Sequence, residues 1–291
     1  MGIIIIGAIL SAVGFGIANV VIKKLLGNTS IPQTIIMSFG FGALFLLILN
    51  FIQGFPEYNY AVSLLPTLAL FSFGEVALYL VLYKAFDAAN VTLASGILSA
   101  YPVLSTFFAV IFLHETVLPV KILFIILMVV GAIILVIDWN EVRKNGFDKK
   151  DLIKGLPWVL LCLLLHAIYF PALGNLTADG FWEFKLLGIK IFAFLILIVY
   201  FFVIQKNTVQ GGKSRIGLGI SLGLLEVLGW IGLSWASGNT VGQIAIIVAV
   251  GSSAPLVTAI VARVFLKEKL SWIQYFGVFL IFICLTAIAL I

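Results

Sequence analysis

Two segments of this sequence share one pattern: SAYPVLSTFFAVIFLHE at residues 99–115 and SSAPLVTAIVARVFLKE at residues 252–268. Each has a proline, nine further residues, Phe-Leu, one residue and a glutamate. Pro102 and Glu115 therefore recur as Pro255 and Glu268, displaced by 153 positions. Proline and glutamate are uncommon in apolar sequence, so these matches weigh more than matched alanines or leucines. The two segments indicate an internal repeat with a long period.

The composition around these segments indicates a chain that lies in lipid. Of the 291 residues, 63% are hydrophobic and 10% are charged, whereas about 25% are charged in soluble domains. The mean hydropathy is +1.25. A soluble protein of this size could not bury so much apolar surface in one core. We therefore expect an all-α polytopic membrane protein.

The spacing of apolar runs predicts ten transmembrane helices, because each span needs about 20 apolar residues and an internally bonded backbone. Charged or turn-forming residues separate the runs. The predicted spans are roughly 3–22, 33–52, 61–83, 93–113, 118–138, 155–173, 185–204, 215–236, 243–266 and 271–290.

The repeat divides these spans into two sets of five. Glu75 and Glu226 are displaced by 151 positions, close to the displacement of the paired prolines. Because five is odd, the second set enters the membrane from the opposite side, which gives a 5+5 inverted repeat. We predict a first repeat at 1–138, a charged linker at 139–154 and a second repeat at 155–291.

Ten spans, a five-plus-five repeat and the paired Pro…Phe-Leu-x-Glu segments resemble the EamA-type transporters of the drug/metabolite transporter (DMT) superfamily. The resemblance covers essentially the whole chain. It implies export or exchange of small molecules such as amino acids, drugs, nucleotide-sugars or phosphorylated metabolites. It also implies a central cavity lined mainly by spans 1, 3, 4, 6, 8 and 9.

The distribution of basic residues predicts an orientation. Loops after odd-numbered spans carry 14 of the 17 lysines and arginines, so the positive-inside rule puts those loops in the cytosol. Both termini are then outside, which departs from the cytosolic termini familiar in the resembled family. The expected location is the plasma (inner) membrane.

Glutamates near the middle of spans 3 and 8 are the leading candidates for substrate binding or proton coupling. An ionised carboxylate at the bilayer centre is costly, so Glu75 and Glu226 should face the protein interior. Tyr79 and Trp230 lie one turn further on the same helix faces. A carboxylate beside an aromatic ring suits an organic cation or zwitterion. Burial favours the neutral carboxyl, which would allow proton coupling; the alternative is a protonated, structural glutamate.

Two further polar residues within spans are weaker candidates for the same site. His166 is the one histidine inside a predicted span. It would act as a proton relay or as a hydrogen bond between helices. Asn19 in the first span would line the cavity or bridge two helices.

The paired prolines predict local breaks in two helices. Pro102 and Pro255 should each free the carbonyl four residues back. Serines stand beside the freed carbonyls, namely Ser99, Ser252 and Ser253. These groups would either line a polar cavity or fill a plain kink.

The remaining polar and small residues of interest are read as structural. Gly219 and Gly223 form a Gly-x-x-x-Gly pair typical of close helix packing. Glu115 and Glu268 are expected to cap or pair at helix ends. Lys190 is placed about one turn inside the seventh span, from where it would snorkel to the interface. On that placement, no basic residue lies near the midplane.

These patterns together favour a secondary transporter, an exporter or exchanger for a small cationic, zwitterionic or neutral metabolite such as an amino acid or amphiphilic drug. No enzyme motif and no nucleotide-binding loop is found, so an enzyme and an ATP-driven pump are disfavoured. A membrane scaffold or assembly protein, and a nucleotide-sugar or phosphorylated-metabolite carrier, remain the alternatives.

The expected partners are lipid, the substrate and possibly protons, with the chain a monomer or a homodimer. No nucleic acid and no cofactor is expected. Cys162 and Cys284 lie far from any His/Cys cluster, so no metal site is expected.

Overall fold

The computed structural model describes residues 2–26, 29–88, 97–137, 149–204, 213–240, 242–266 and 271–291. Every regular element within these ranges is a helix, so the predicted all-α class is confirmed. A π-helical turn, Val199–Ile204, continues the seventh helix. The helices are α1 (Gly2–Leu26), α2 (Ile31–Gln53), α3 (Tyr58–Ala88), α4 (Tyr101–Phe112), α5 (Pro119–Val136), α6 (Lys149–Thr177), α7 (Trp182–Ile198), α8 (Lys213–Gly238), α9 (Ile244–Gly251), α10 (Ala254–Leu266) and α11 (Trp272–Leu290).

Six of these helices are long and apolar enough to cross a membrane: α1, α2, α3, α6, α7 and α8. Shorter apolar segments lie at α4, at α5, across α9 and the start of α10, and at α11. Most of the predicted linker lies outside the described residues. Its last residues, 149–154, are helical and form the start of α6.

The distribution of side chains is that of a protein in lipid. Large apolar side chains such as Phe51, Leu70 and Trp272 lie on the outer surface, where they are 70–89% exposed. Serine, threonine, lysine and glutamate side chains are buried in the interior. In lipid, apolar groups gain little from burial, whereas polar groups need partners inside the protein. This distribution therefore supports an integral membrane protein.

Helices from the two halves of the sequence pack mainly on each other. α1 packs on α8 and α10, α2 on α7 and α8, α3 on α6 and α7, and α5 on α11. Each of these pairs joins a helix from residues 2–136 to a helix from residues 149–290. The interior of the protein is therefore the interface between the halves.

Glycines allow the closest of these contacts. A Cβ atom on Gly7 of α1 would lie 2.6 Å from the carbonyl oxygen of Gly232 in α8. On Gly223 it would lie 2.7 Å from Phe41 Cβ and 2.8 Å from the Gly42 nitrogen, both in α2. Because the backbones nearly touch, no side chain fits between them. The predicted close-packing role of the Gly219 and Gly223 pair is confirmed.

Two helices are interrupted 153 positions apart, at the residues before Pro102 and Pro255. A turn at 99–100 precedes α4, and a turn at 252–253 separates α9 from α10. In the second turn, Ser253 N donates to Val250 O at 3.1 Å. This bond spans three residues, whereas an α-helical bond spans four. The break predicted at Pro255 is present as a full interruption between α9 and α10. At Pro102, the described residues show a turn at 99–100 followed by α4. The predicted ninth span, 243–266, therefore corresponds to two helices, α9 and α10, separated by the turn at 252–253.

A carboxylate from the first half caps α9 in the second half. Glu115 Oε1 accepts from Ile244 N at 2.7 Å, and Oε2 accepts from Ala245 N at 2.9 Å. These are amides that a helix N-terminus leaves without intrahelical partners, and a negative charge there is favourable. The predicted capping role of Glu115 is confirmed, whereas Glu268 lies outside the described residues.

A methyl group added at the α1–α8 contact should destabilise the protein. A Cβ atom on Gly232 would meet the Gly7 carbonyl and would lie 2.5 Å from Ser11 N. We expect Gly232→Ala to lower stability by about 1–3 kcal/mol, because the two backbones must separate. Thermal unfolding in detergent measures the loss. Gly217→Ala in α8 is the control, because nothing lies within 4 Å of the added atom. Equal melting temperatures for the two variants would contradict the packing.

Candidate functional site

Three ionisable side chains meet in the interior between the halves. Glu75 comes from α3, Lys190 from α7 and Glu226 from α8, and each side chain is at most 2% exposed. Lys190 Nζ lies 2.5 Å from Glu75 Oε1, so the two groups form a buried ion pair. Both predicted glutamates therefore face the interior, as expected. We call Glu75, Lys190 and Glu226 the ionic centre.

The predicted position of Lys190 is wrong. The α7 helix runs from Trp182 to Ile198, so Lys190 stands at its middle instead of one turn from its end. Its ammonium does not reach the interface but is buried against Glu75. The statement that no basic residue lies near the midplane is therefore also wrong. A span boundary displaced by three residues was enough to misplace the charge.

Glu226 has a different partner from Glu75. Its Oε2 accepts a hydrogen bond from the Ser38 hydroxyl in α2, and the Tyr79 side chain is within hydrogen-bonding reach. Ser38 and Lys190 stand 152 positions apart, close to the displacement between the two glutamates. The two carboxyls and their partners therefore occupy equivalent positions in the two halves, but the partners differ chemically. Glu75 pairs with an ammonium, and Glu226 accepts from a hydroxyl.

The charges of the ionic centre do not balance when all three groups are ionised. Two carboxylates and one ammonium leave one negative charge in a site without bulk water. Glu75 Oε2 is also buried and finds no hydrogen-bond partner within the described residues. An uncompensated buried charge is costly. A proton on one carboxyl or a bound cation would restore neutrality.

Aromatic rings surround the ammonium of the ionic centre. Lys190 Nζ lies 4.1 Å from the ring centroid of Phe39, 5.5 Å from that of Trp230 and 5.6 Å from that of Tyr79. Each distance is within the range of a cation–π interaction. Phe39 also packs edge-on against Tyr79 at 5.0 Å. The predicted aromatic residues Tyr79 and Trp230 therefore do lie beside the carboxyls, but both contact the lysine.

A wider group of aromatic residues extends from Trp230 toward His166. Phe170 lies 5.0 Å from Trp230, and the His166 ring stacks on Phe170 at 5.6 Å. His166 Nδ1 donates to the Cys162 carbonyl within its own helix at 2.8 Å. The Nδ1 bond therefore joins no second helix. A role in proton transfer stays a prediction.

Asn19 bridges two helices, α1 and α10. Its amide nitrogen donates to Thr258 Oγ1 of α10 at 3.4 Å, and the residue is exposed. This contact fits the bridging alternative stated for it. A role in substrate binding stays a prediction.

The serines at the helix interruptions make local contacts. Ser252 Oγ donates to Ala249 O at 2.6 Å, and Tyr101 is within hydrogen-bonding reach of Ser252. The two interruptions are thereby connected across the interface between the halves. Pro102 and Ser253 are buried and Ser99 and Pro255 half-buried, and whether they line a substrate cavity stays a prediction.

Three members of the site were not predicted from the sequence: Lys190, Ser38 and Phe39. Lys190 could have been found, because apolar residues flank it on both sides and two mid-span carboxyls call for a counter-charge. Ser38 and Phe39 gave no signal, since serine and phenylalanine are common in membrane spans. Among the described residues, no group of three or more His, Cys, Asp or Glu side chains is placed to hold a metal ion.

Removing both members of the Glu75–Lys190 pair should destabilise the protein by less than the sum of the two single removals. We expect Glu75→Gln or Lys190→Met each to cost about 3–5 kcal/mol, because the partner is left buried and unpaired. The double variant should cost less than the sum by about 1 kcal/mol or more. Thermal and denaturant unfolding measure these differences. Glu75→Gln combined with Lys84→Met is the control, since Lys84 is exposed and nine positions further along α3. Additive losses in both pairs would contradict the ion pair.

Comparisons with known proteins agree with this fold. The model of the EamA-like transporter family matches residues 2–137 and 153–290. A solved structure described as "Crystal structure of protein" has a TM-score of 0.80 and 14% identity, over 100% of this chain and 99% of that chain. That likeness shows the fold alone. No protein of curated function matches the sequence. Because the family model covers most of the chain in two copies, the chain belongs to the EamA-like transporter family of the DMT superfamily.

Proposed function

We propose that this protein is a secondary transporter, an exporter or exchanger that moves a small metabolite by alternating access. Membership of the EamA-like family gives the coarse function of a membrane transporter. The observation that carries the mechanism is the ionic centre, which is built from α3, α7 and α8 at the interface between the halves. A site in that position is exposed to one side or the other when the halves rock against each other.

We also propose that the chain has ten spans in a 5+5 inverted repeat. The family model matches twice, and the helix interruptions recur after 153 positions. The repeat pairs α1 with α6 and α3 with α8, so a contact between α1 and α8 should have a counterpart between α6 and α3. Both contacts are present. This exchange of equivalent contacts is what an inverted repeat requires.

The proposed substrate is cationic, zwitterionic or neutral. Amino acids and amphiphilic drugs are the favoured candidates. The absence of a basic residue near the midplane cannot support this substrate class, because Lys190 lies in the ionic centre. The reason for this class is that Glu75 already binds the one ammonium of the ionic centre and a second carboxyl stands beside it. A nucleotide-sugar or phosphorylated metabolite, the second candidate, would meet two carboxyls and would need several unpaired basic groups.

A screen in proteoliposomes tests the transport proposal. Candidate amino acids and amphiphilic amines are offered with and without a pH gradient. We expect Glu226→Gln to lower the initial rate about tenfold or more, because the carboxyl is proposed to bind the substrate or a proton. Glu57→Gln, at an exposed position in the loop after α2, is the matched control and should transport like wild type.

Three outcomes of this screen would contradict the proposal. Unchanged transport by both Glu75→Gln and Glu226→Gln would remove the ionic centre from the mechanism. Competitive transport of a sugar phosphate would overturn the proposed substrate class. The third outcome is that the wild-type protein transports none of the screened compounds and the glutamine variants lose only stability. That result would favour a scaffold.

We propose that the loops after odd-numbered spans face the cytosol and both termini face outward, in the plasma (inner) membrane. The bias of 14 of the 17 basic residues supports this orientation. A cysteine appended after Ile291 in a cysteine-free background should react with an impermeant thiol reagent added to intact cells. Labelling that requires cell lysis would reverse the orientation.

A further inference from the structure

The ammonium of Lys190 has the contacts that a site for an organic cation would offer to a ligand. Glu75 binds it at 2.5 Å, and Phe39 presents its ring face at 4.1 Å. Trp230 and Tyr79 lie within 5.6 Å. Glu226 interacts with the same ammonium electrostatically. Two carboxyls and three rings around one nitrogen are the arrangement by which proteins recognise alkylammonium ions.

A simple structural ion pair does not account for all of these groups. A pair needs one carboxyl, and the second carboxyl adds an uncompensated charge that makes the buried site less favourable. Glu75 Oε2 is also buried, and it finds no hydrogen-bond partner within the described part of the chain. The site therefore offers more binding capacity for a cation than Lys190 uses.

The chemistry of the lysine side chain fits a removable ligand. Its ammonium is a compact charge on a flexible four-carbon stem, so the charge can leave the site while the α7 backbone stays in place. The equivalent position in the first half holds Ser38, which bonds Glu226 and carries no charge. The two halves therefore provide two carboxyls but one cation to the ionic centre.

We propose that Lys190 is a built-in ligand that fills a binding site for a primary ammonium ion, formed by Glu75, Glu226, Phe39, Tyr79 and Trp230. An external ammonium ion enters this site when the Lys190 ammonium leaves it. The inference deepens the proposed transport function and rests on it for the biological use of the site. With Lys190 in place, one of the two carboxylates is compensated in the empty protein, so the empty state does not hold two bare charges in the membrane interior.

The test measures binding of n-butylammonium chloride to the purified full-length protein in detergent. Removing the internal ligand with Lys190→Ala should open the site. We expect the variant to bind n-butylammonium about tenfold or more tightly than wild type does, by calorimetry and by a rise in melting temperature. Lys190→Arg, which keeps a cation on the stem, should bind as weakly as wild type. n-Butanol, which has the same chain without the charge, should not bind to Lys190→Ala.

The double variant Lys190→Ala with Glu75→Gln identifies the carboxyl. It should lose the gain in n-butylammonium affinity, because the main partner of the ammonium is removed. If Lys190→Ala does not fold when purified alone, n-butylammonium present during purification should restore the folded protein. Absence of both binding and rescue, or binding that is independent of Glu75, would overturn the proposal. None of these measurements requires transport. The binding proposal and the transport proposal can therefore fail independently of each other.

Discussion

Three charged groups must be kept together, away from both water and lipid, and this requirement organises the interior of the protein. Glu75, Lys190 and Glu226 are each buried to 98% or more and come from three helices of the two sequence halves. Rotation or sliding of α3, α7 or α8 would leave a carboxyl or an ammonium without its partner. The glycine contacts between α1, α2 and α8 keep the helices close enough to hold the groups in place.

The ionic centre combines a symmetric frame with asymmetric chemistry. The two glutamates stand 151 positions apart, and their partners Ser38 and Lys190 stand 152 apart. A frame built from two similar halves can expose one site to either side of the membrane. The two carboxyls differ in their partners: Glu75 binds the Lys190 ammonium, and Glu226 accepts from the Ser38 hydroxyl. We propose that Glu226 is therefore the carboxyl that takes a proton or a substrate.

Much of this fold could be predicted from the sequence because its signals are strong and local. Apolar runs of about 20 residues specify helices, and the paired prolines specify where two of them break. The glycine pair at 219 and 223 specifies close packing, and the carboxylate of Glu115 suits a helix N-terminus. The site was harder to predict. A boundary shift of three residues moved Lys190 from the interface to the middle of α7, and the substrate argument depended on that placement.

Contacts across the interface could not be predicted from spacing within one helix. Tyr79 stands one turn from Glu75, yet its side chain also reaches Glu226 in the other half. Pairing between halves depends on how α2, α3, α7 and α8 pack, and no short sequence pattern records that.

Chemical modification of lysines tests the central claim most directly. The protein in lipid nanodiscs is reductively dimethylated, and peptides are quantified by mass spectrometry. Our account predicts that Lys190, which is 2% exposed, reacts about tenfold or more slowly than the exposed Lys84. Equal rates at the two lysines would place Lys190 at the membrane surface and would contradict the ionic centre.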